Sequence, residues 1–302
     1  MKIATYNVRN FYDAGTSIDR ETEEVVKEDF FNKRVAYFVE KFRALNLDII
    51  CLQEIGGEKG VSIIGDILGY NYFFAKPNKR GIRMAVLYKK ELSEKIRCES
   101  FSFGDISVPD LQEEGDMKSF KPMNQRRDVL VCDFDNYNGK KLRIVTFHLK
   151  SLLPLYFEND DKENDEKAFS DAKFRSVFHK IVELRAMRTF VDKSLNEGRE
   201  LVLLGDFNED HKASSISILK DSNKEDRFLF DILTGFKGDD ATHIYRDTKL
   251  TFDTILVSNN LKNSISSVSV NNEDLKCYSG LPFGEIENVI EPDHAMVVLE
   301  LK

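Results

Sequence analysis

The sequence predicts an α/β protein, and three observations carry that prediction. Short apolar runs of strand type recur along the whole chain, amphipathic helical stretches stand between them, and no Pro/Gly/Ser-rich linker divides the 302 residues. Length alone allows one large domain or two ordinary ones. The even spread of strands and helices, with no internal repeat, predicts a single domain over residues 1–302.

The strand-type runs are Ile3–Tyr6, Asp48–Leu52, Met84–Tyr88, Val129–Cys132, Leu142–Phe147, Leu201–Leu204, Phe252–Val257 and Met296–Leu299. Before the second run, Val35, Phe38, Val39 and Phe42 recur at helical spacing. A longer helix begins with Phe174, Val177, Phe178, Ile181 and Val182 and runs to about Leu195. Residues 99–125, punctuated by Gly104, Pro109, Gly115 and Pro122, read as loop. Residues 154–172 carry Glu158-Asn159-Asp160-Asp161, then Glu163, Asp165 and Glu166. A solvated loop or the start of a helix is the plain reading; the functional one is a lid that disfavours long polyanions.

Composition narrows the function. A chain with 41% hydrophobic and 32% charged residues is of ordinary globular type and needs no disulfide or metal staple for its core. The net charge of -8 and pI near 5.4 argue against tight, extended duplex binding, which is driven by neutralising phosphates. They leave room for an enzyme that grips one or two phosphates and holds a cation with carboxylates. Cys51, Cys98, Cys132 and Cys277 form no CxxC pair and read as reduced thiols. No run is long enough to cross a bilayer, and the first strand begins at Ile3 with no signal peptide before it, so a cytoplasmic location is expected. No obligate protein partner is evident.

The informative pattern lies where the strands end. Asn7 follows the first run and Glu54 the second; His148 follows Phe147, and Asp206 and Asn208 follow Leu204. Asp253 sits at the start of its strand, and Asp293-His294 immediately precede the last one. A lone Asn or Asp at such a place is a turn former or cap. Six strand ends that collect two amides, four carboxylates and two imidazoles point instead to a site on one rim of the sheets. Carboxylate and amide oxygens suit a hard cation, Mg²⁺ first with Mn²⁺ as substitute. Imidazoles supply proton transfer near neutral pH, and together these groups meet the needs of phosphodiester hydrolysis.

These residues resemble the endonuclease/exonuclease/phosphatase family. The matching pieces are Ala4-Thr5-Tyr6-Asn7, Leu52-Gln53-Glu54, Phe147-His148-Leu149-Lys150-Ser151, Gly205-Asp206-Phe207-Asn208, Phe252-Asp253-Thr254-Ile255-Leu256 and Pro292-Asp293-His294, in the family's order and over nearly the whole chain. The resemblance implies a four-layered αββα sandwich, two packed mixed sheets flanked by helices. It implies that Glu54 is the main metal carboxylate, accompanied by Asn7 and Asp293. Asp206 would orient or deprotonate the attacking water, and Asn208 would hold a phosphate oxygen. His294 would be the catalytic imidazole with its tautomer fixed by Asp253, and His148 a second histidine.

Lys150 is a candidate for the substrate phosphate, as is Arg127, which with Arg126 precedes the Val129 strand. Lys79, Arg80 and Arg83 read as surface charge or as contacts near the rim. His179, His211 and His243 have no comparable setting and are expected to be structural or surface residues. Ile55-Gly56-Gly57 stand where abasic-site endonucleases show Thr-Lys, which argues against that branch. The expected substrate is nucleic acid, DNA or RNA. A smaller phosphorylated molecule (lipid head group, inositol phosphate or nucleotide) is the alternative, and a silent binding protein on the same fold a third reading. The fold alone cannot separate them.

Overall fold

The computed structural model describes residues 1–16, 25–103, 106–109, 117–120, 128–161, 165–278 and 289–302. In chain order the strands are β1 (Lys2–Phe11), β2 (Ile49–Ile55), β3 (Tyr70–Phe74), β4 (Arg83–Lys89), β5 (Ile96–Phe101), β6 (Ile106–Pro109), β7 (Met117–Phe120), β8 (Val129–Tyr137), β9 (Lys140–His148), β10 (Arg199–Asp206), β11 (Leu229–Asp231), β12 (His243–Tyr245), β13 (Thr248–Leu250), β14 (Asp253–Ser258), β15 (Ile265–Asn271) and β16 (Met296–Leu301). The helices are α1 (Glu28–Leu45), α2 (Lys59–Leu68), α3 (Glu166–Asn196) and the short α4 (Ser217–Lys220).

Two six-stranded sheets, β15-β16-β1-β2-β4-β3 and β11-β14-β10-β9-β8-β5, form the body; β6-β7 and β12-β13 are separate hairpins. Period-two alternation along the strands sorts the apolar residues into three layers. Ile3, Ile49, Cys51, Met84 and Val86 of the first sheet meet Leu130, Cys132, Ile144, Val202, Leu204 and Ile255 of the second in an inter-sheet core. Ala4, Tyr6, Ile50 and Leu52 turn the other way, onto Phe31, Phe38 and Phe42 of α1 and Val61 and Ile64 of α2. Val145, Phe147, Leu201 and Leu203 pack on Leu184, Met187 and Val191 of α3. The result is the expected four-layered sandwich of two mixed sheets between helices.

At the centre of each sheet stands a parallel pair, β1–β2 in one and β9–β10 in the other. Reading the inter-sheet face toward the carboxyl ends of these strands, apolar residues give way to polar ones. Ile3 is followed at alternate positions by Thr5 and Asn7, Ile49 by Cys51 and Gln53, Ile144 by Thr146 and His148, and Val202 by Leu204 and Asp206. The Gln53 amide nitrogen crosses the gap to donate to the Thr146 hydroxyl at 2.9 Å, marking where the apolar core ends and the polar rim begins.

Two local expectations are corrected. The long helix starts at Glu166 rather than near Phe174, because the Asp165 carboxylate accepts the Lys167 N–H and caps the first turn. Residues 99–125 are not all loop: β5 runs to Phe101, and β6 and β7 pair as an antiparallel hairpin. Among the described residues no helix is long and apolar enough to cross a membrane.

Candidate active site

Asp206 ends β10 with its side chain in the gap between the sheets, 1% exposed. Gly205 before it makes that position possible. Its φ is +155°, and an added Cβ would stand 2.0 Å from the Phe147 carbonyl oxygen of the neighbouring strand, so any side chain would force β9 and β10 apart. Asp206 Oδ2 accepts from the Asn7 amide at 2.9 Å and from the Asn208 amide at 3.1 Å, while Oδ1 accepts from the Asn208 backbone N–H at 2.6 Å. His148 Nε2 lies 3.3 Å from Oδ2, and His294 Nε2 is 4.0 Å away. Burial pushes the Asp206 carboxyl up to about 7; the Asp253 charge adds to the rise, and His294 with the hydrogen bonds from Asn208 and Asn7 opposes it.

His294, just before β16 of the first sheet, reaches across to β14 of the second, where its Nδ1 meets Asp253 Oδ2 at 2.7 Å. Asp253 is fully buried, and among the described residues its other oxygen has no hydrogen-bond partner. Burial pulls the His294 pKa down, but the charges of Asp253 and then Asp206, with the Asp253 hydrogen bond, outweigh it and hold His294 well above the usual histidine value.

Glu54 stands at the rim of the first sheet with left-handed backbone, φ +64°, which breaks the strand alternation and turns its carboxylate toward the site. Its Oε2 accepts the Asn10 N–H at 2.9 Å; its Oε1 lies 3.3 Å from the Asn7 amide and 3.7 Å from His148 Nε2. The side chain keeps 21% exposure, so a cation from solution can reach it. Asn7, Glu54, His148, Asp206, Asn208, Asp253 and His294 are thus drawn into one chain of contacts across the two sheets. Hard oxygen donors facing solvent beside buried, hydrogen-bonded imidazoles fit a divalent cation of the kind that carboxylates and amides hold.

Asp293 belongs to a different grouping. One ligand atom from each of His243, Asp293 and His294 lies within 4.8 Å of the others, and the same holds for Asp206, Asp253 and His294. His243, which the sequence assigns no functional role, therefore stands at the site. Its Nδ1 is 2.9 Å from the Asp293 carbonyl oxygen and its ring lies 4.8 Å from that of His294. Burial lowers its pKa, and the neighbouring His294 lowers it further. His211 fits the structural expectation: it is buried and bonded to Asp231 at 2.8 Å.

The Lys150 ammonium donates to the carbonyls of Ser151 and Leu153 in its own loop. Arg126, Arg127 and Glu163 lie outside the described residues. Arg83 pairs with Glu58. Asp160 pairs with Arg175 of α3 at 2.6 Å and accepts the Phe157 N–H at 2.8 Å, so it supports the plain structural reading of that acidic run.

Two buried cations on the flanking helices, neither marked by a motif in the sequence, complete the rim. Arg34 of α1 donates to the carbonyls of Val8, Arg9 (3.1 Å) and Asn10 (3.3 Å), where β1 bulges between Asn7 and Phe11 and Arg9 and Asn10 both take positive φ. Burial first, and then the charge of Arg9, lower its pKa to about 10. Lys180 of α3, 1% exposed, donates to the carbonyls of Phe207 at 2.6 Å and Asn208 at 2.8 Å, where Asn208 has φ +52°.

This layered sandwich with a carboxylate, amide and imidazole rim defines the class of divalent-metal-dependent phosphoesterases. The chain belongs to the endonuclease/exonuclease/phosphatase family, whose sequence profile matches residues 4–275. A search of curated proteins returns no match. Among solved structures, the chain is similar to the 3'-5' exonuclease NExo from Neisseria meningitidis, with TM-score 0.58, 17% identity and 100% of each chain covered. It is also similar to D. rerio TDP2 complexed with single strand DNA product, with TM-score 0.56, 14% identity, and 99% of this chain and 97% of that one covered. The human Nocturnin catalytic domain, with TM-score 0.53 and 14% identity, covers 100% of this chain and 94% of its own. At these identities the likeness establishes the fold.

Proposed function

We propose that this chain is a Mg²⁺-dependent phosphodiesterase, one catalytic domain acting on DNA or RNA, in which Asp206 and His294 share the proton transfers of in-line hydrolysis. The observation that carries the reading is the convergence on Asp206 of Asn7, His148, Asn208 and His294 from both sheets. Mg²⁺, or Mn²⁺ in its place, would be held by Glu54 with Asn7 and Asp293 and would neutralise charge on a non-bridging phosphoryl oxygen. Asp206, with a carboxyl poised at about 7, accepts a proton from the attacking water. His294, kept protonated by Asp253, donates to the phosphoryl oxygens or the leaving oxygen, while Asn208 and His148 orient the phosphate.

A nucleic-acid substrate is supported by the family and by the similarly folded TDP2 structure, which holds a single strand DNA product. The net charge of -8 favours a short grip on one or two phosphates over an extended duplex footprint. A panel of single-stranded DNA, duplex DNA, RNA and bis(p-nitrophenyl) phosphate, assayed with Mg²⁺ and with excess chelator, tests the reading. Cleavage of a nucleic acid that vanishes with chelator and returns with Mg²⁺ or Mn²⁺ is expected. Robust hydrolysis in chelator would refute the cation's role, and turnover of the small ester alone would refute the substrate.

A further inference from the structure

His243 opens the β12–β13 hairpin and forms an isolated antiparallel bridge with His294, so the two imidazoles leave neighbouring backbones side by side. Their rings are 4.8 Å apart and tilted by 40°. His243 stacks on Phe252 at 5.0 Å, which fixes its plane. His243 Nδ1 faces the Asp293 carbonyl oxygen at 2.9 Å, and His294 Nδ1 faces Asp253 Oδ2 at 2.7 Å. With each Nδ1 tied to an oxygen acceptor, Nε2 is the nitrogen each ring can offer to a cation. Metal-binding histidines almost always carry such a partner on the second ring nitrogen, because it fixes the tautomer and raises ligand basicity. Both outer partners are already in place here.

We propose that His243, Asp293 and His294 form a transition-metal site of two imidazoles and one carboxylate, for which Zn²⁺ is the fitting ion. Three such protein ligands with an open fourth position suit Zn²⁺ or Co²⁺, whereas Mg²⁺ prefers oxygen ligands and retained waters. The site thus differs in donor type from the oxygen set built on Glu54, with which it shares Asp293. The neighbouring group of Asp206, Asp253 and His294 is the poorer host. All three of its residues are buried and both Asp206 oxygens already accept hydrogen bonds from Asn7 and Asn208, so among the described residues Asp253 Oδ1 is its one carboxylate oxygen without a hydrogen-bond partner, whereas His243 and Asp293 are partly exposed. An ion on His294 Nε2 releases the proton held there to solvent, so that nitrogen no longer serves proton transfer, and it takes Asp293 as well. Zn²⁺ is therefore an inhibitor of the Mg²⁺-activated protein, a consequence that rests on the function proposed above.

The test uses the full chain, treated with chelator and dialysed. Titration with Co²⁺ should raise the visible absorption band of a four-coordinate ion at one equivalent, and Zn²⁺ should abolish it. His243→Gln, and His243→Phe, which keeps a ring on Phe252, should each weaken Co²⁺ binding by more than about tenfold. Their melting temperatures and the shift produced by Mg²⁺ should stay those of the parent. In the same variants, micromolar Zn²⁺ should no longer inhibit the Mg²⁺-activated rate, measured relative to each protein's own uninhibited rate. Co²⁺ spectra unchanged in both folded variants would overturn the site, as would absence of a four-coordinate band in the parent chain. Because the band is read without substrate, failure of the site and failure of the phosphodiesterase reading are separate results.

Discussion

The rims of the two sheets are built alike and differ in what they leave open. Each has a parallel central pair whose carboxyl ends carry the polar residues, β1–β2 in one sheet and β9–β10 in the other. Each bends at its polar end through left-handed backbone, at Arg9, Asn10 and Glu54 within the strands on one side and at Asn208 just past β10 on the other. Each is braced from behind by a buried cation on the covering helix, Arg34 on α1 and Lys180 on α3. The acids, however, sit in different surroundings. Glu54 keeps 21% of its side chain in solvent, whereas Asp206 is buried among amides with its carboxyl raised to about 7. A carboxylate that solvent reaches is a place for a cation; a buried one poised near neutrality is a place for a proton. On the function proposed above, one architecture, used twice, divides these two tasks between its halves.

The bond that ties the halves together should show the largest effect. His294→Ala is expected to lower turnover by roughly a hundredfold or more, the scale of general acid–base catalysis. Asp253→Asn should cost somewhat less, and the double variant should be little worse than His294→Ala, because residues that act as a unit give non-additive losses. Losses that multiply, measured in steady-state kinetics with the fold intact, would mean that the two residues work apart.

The braces come next. Arg34→Met leaves the carbonyls of Val8, Arg9 and Asn10 without their donor, and Lys180→Met does the same to Phe207 and Asn208. Each should cost about 1–3 kcal/mol of stability for the buried acceptors left unpaired. If the halves are specialised, the losses differ in kind. The Arg34 variant should need about tenfold more Mg²⁺ for half-maximal rate, and the Lys180 variant should lose kcat at unchanged Mg²⁺ requirement. Arg34→Lys and Lys180→Arg should recover part of each defect. Identical profiles for the two Met variants would erase the distinction.

A smaller effect is expected in the stability of the metal-free protein. Asp206 and His294 both have folded pKa values above their ordinary ones, so the folded chain binds more protons than the unfolded chain wherever either group titrates. Their contribution to stability therefore falls with rising pH, against a smaller opposite one below about 6.5 from His243, whose folded pKa is lowered. For Asp206 the window runs from the ordinary carboxylate value of about 4 up to about 7. For His294 the contribution is complete below about 6.5 and is lost as pH rises through its elevated folded value. The melting temperature in chelator should decline from pH 5 to pH 8, and Asp206→Asn should flatten the lower part of that decline. A flat profile for the parent chain would show that these groups are not shifted as described.

How much of this was legible in the sequence follows a physical line. The eight strand runs read from the sequence are the eight interior strands β1, β2, β4, β8, β9, β10, β14 and β16, whose two covered faces demand near-continuous apolar residues. The four outermost strands, β3, β5, β11 and β15, went unread, because an edge can carry polar residues such as Ser266, Ser267 and Ser269 without interrupting a core. In the site, residues at the ends of apolar runs were visible because the change from apolar to polar is abrupt, as at Leu204 to Asp206. His243 was not, since it begins a three-residue hairpin strand with no such run and meets His294 only in three dimensions. Arg34 and Lys180 left a fainter signal. Arg34 falls between Phe31, Val35 and Phe38 on the buried face of α1, and Lys180 between Ser176 and Leu184 on that of α3, where a lone cation needs an internal partner.

The division of labour between the rims is tested most directly by the thermal shift that Mg²⁺ produces in Glu54→Gln and Asp206→Asn, measured without substrate. A bound ion raises the melting temperature by an amount that grows with the logarithm of its affinity for the folded chain. Both variants should be nearly inactive, yet Asp206→Asn should keep the Mg²⁺-dependent rise of the parent chain while Glu54→Gln loses it. Loss of the shift in Asp206→Asn together with its retention in Glu54→Gln would place the cation on the other rim and contradict the account.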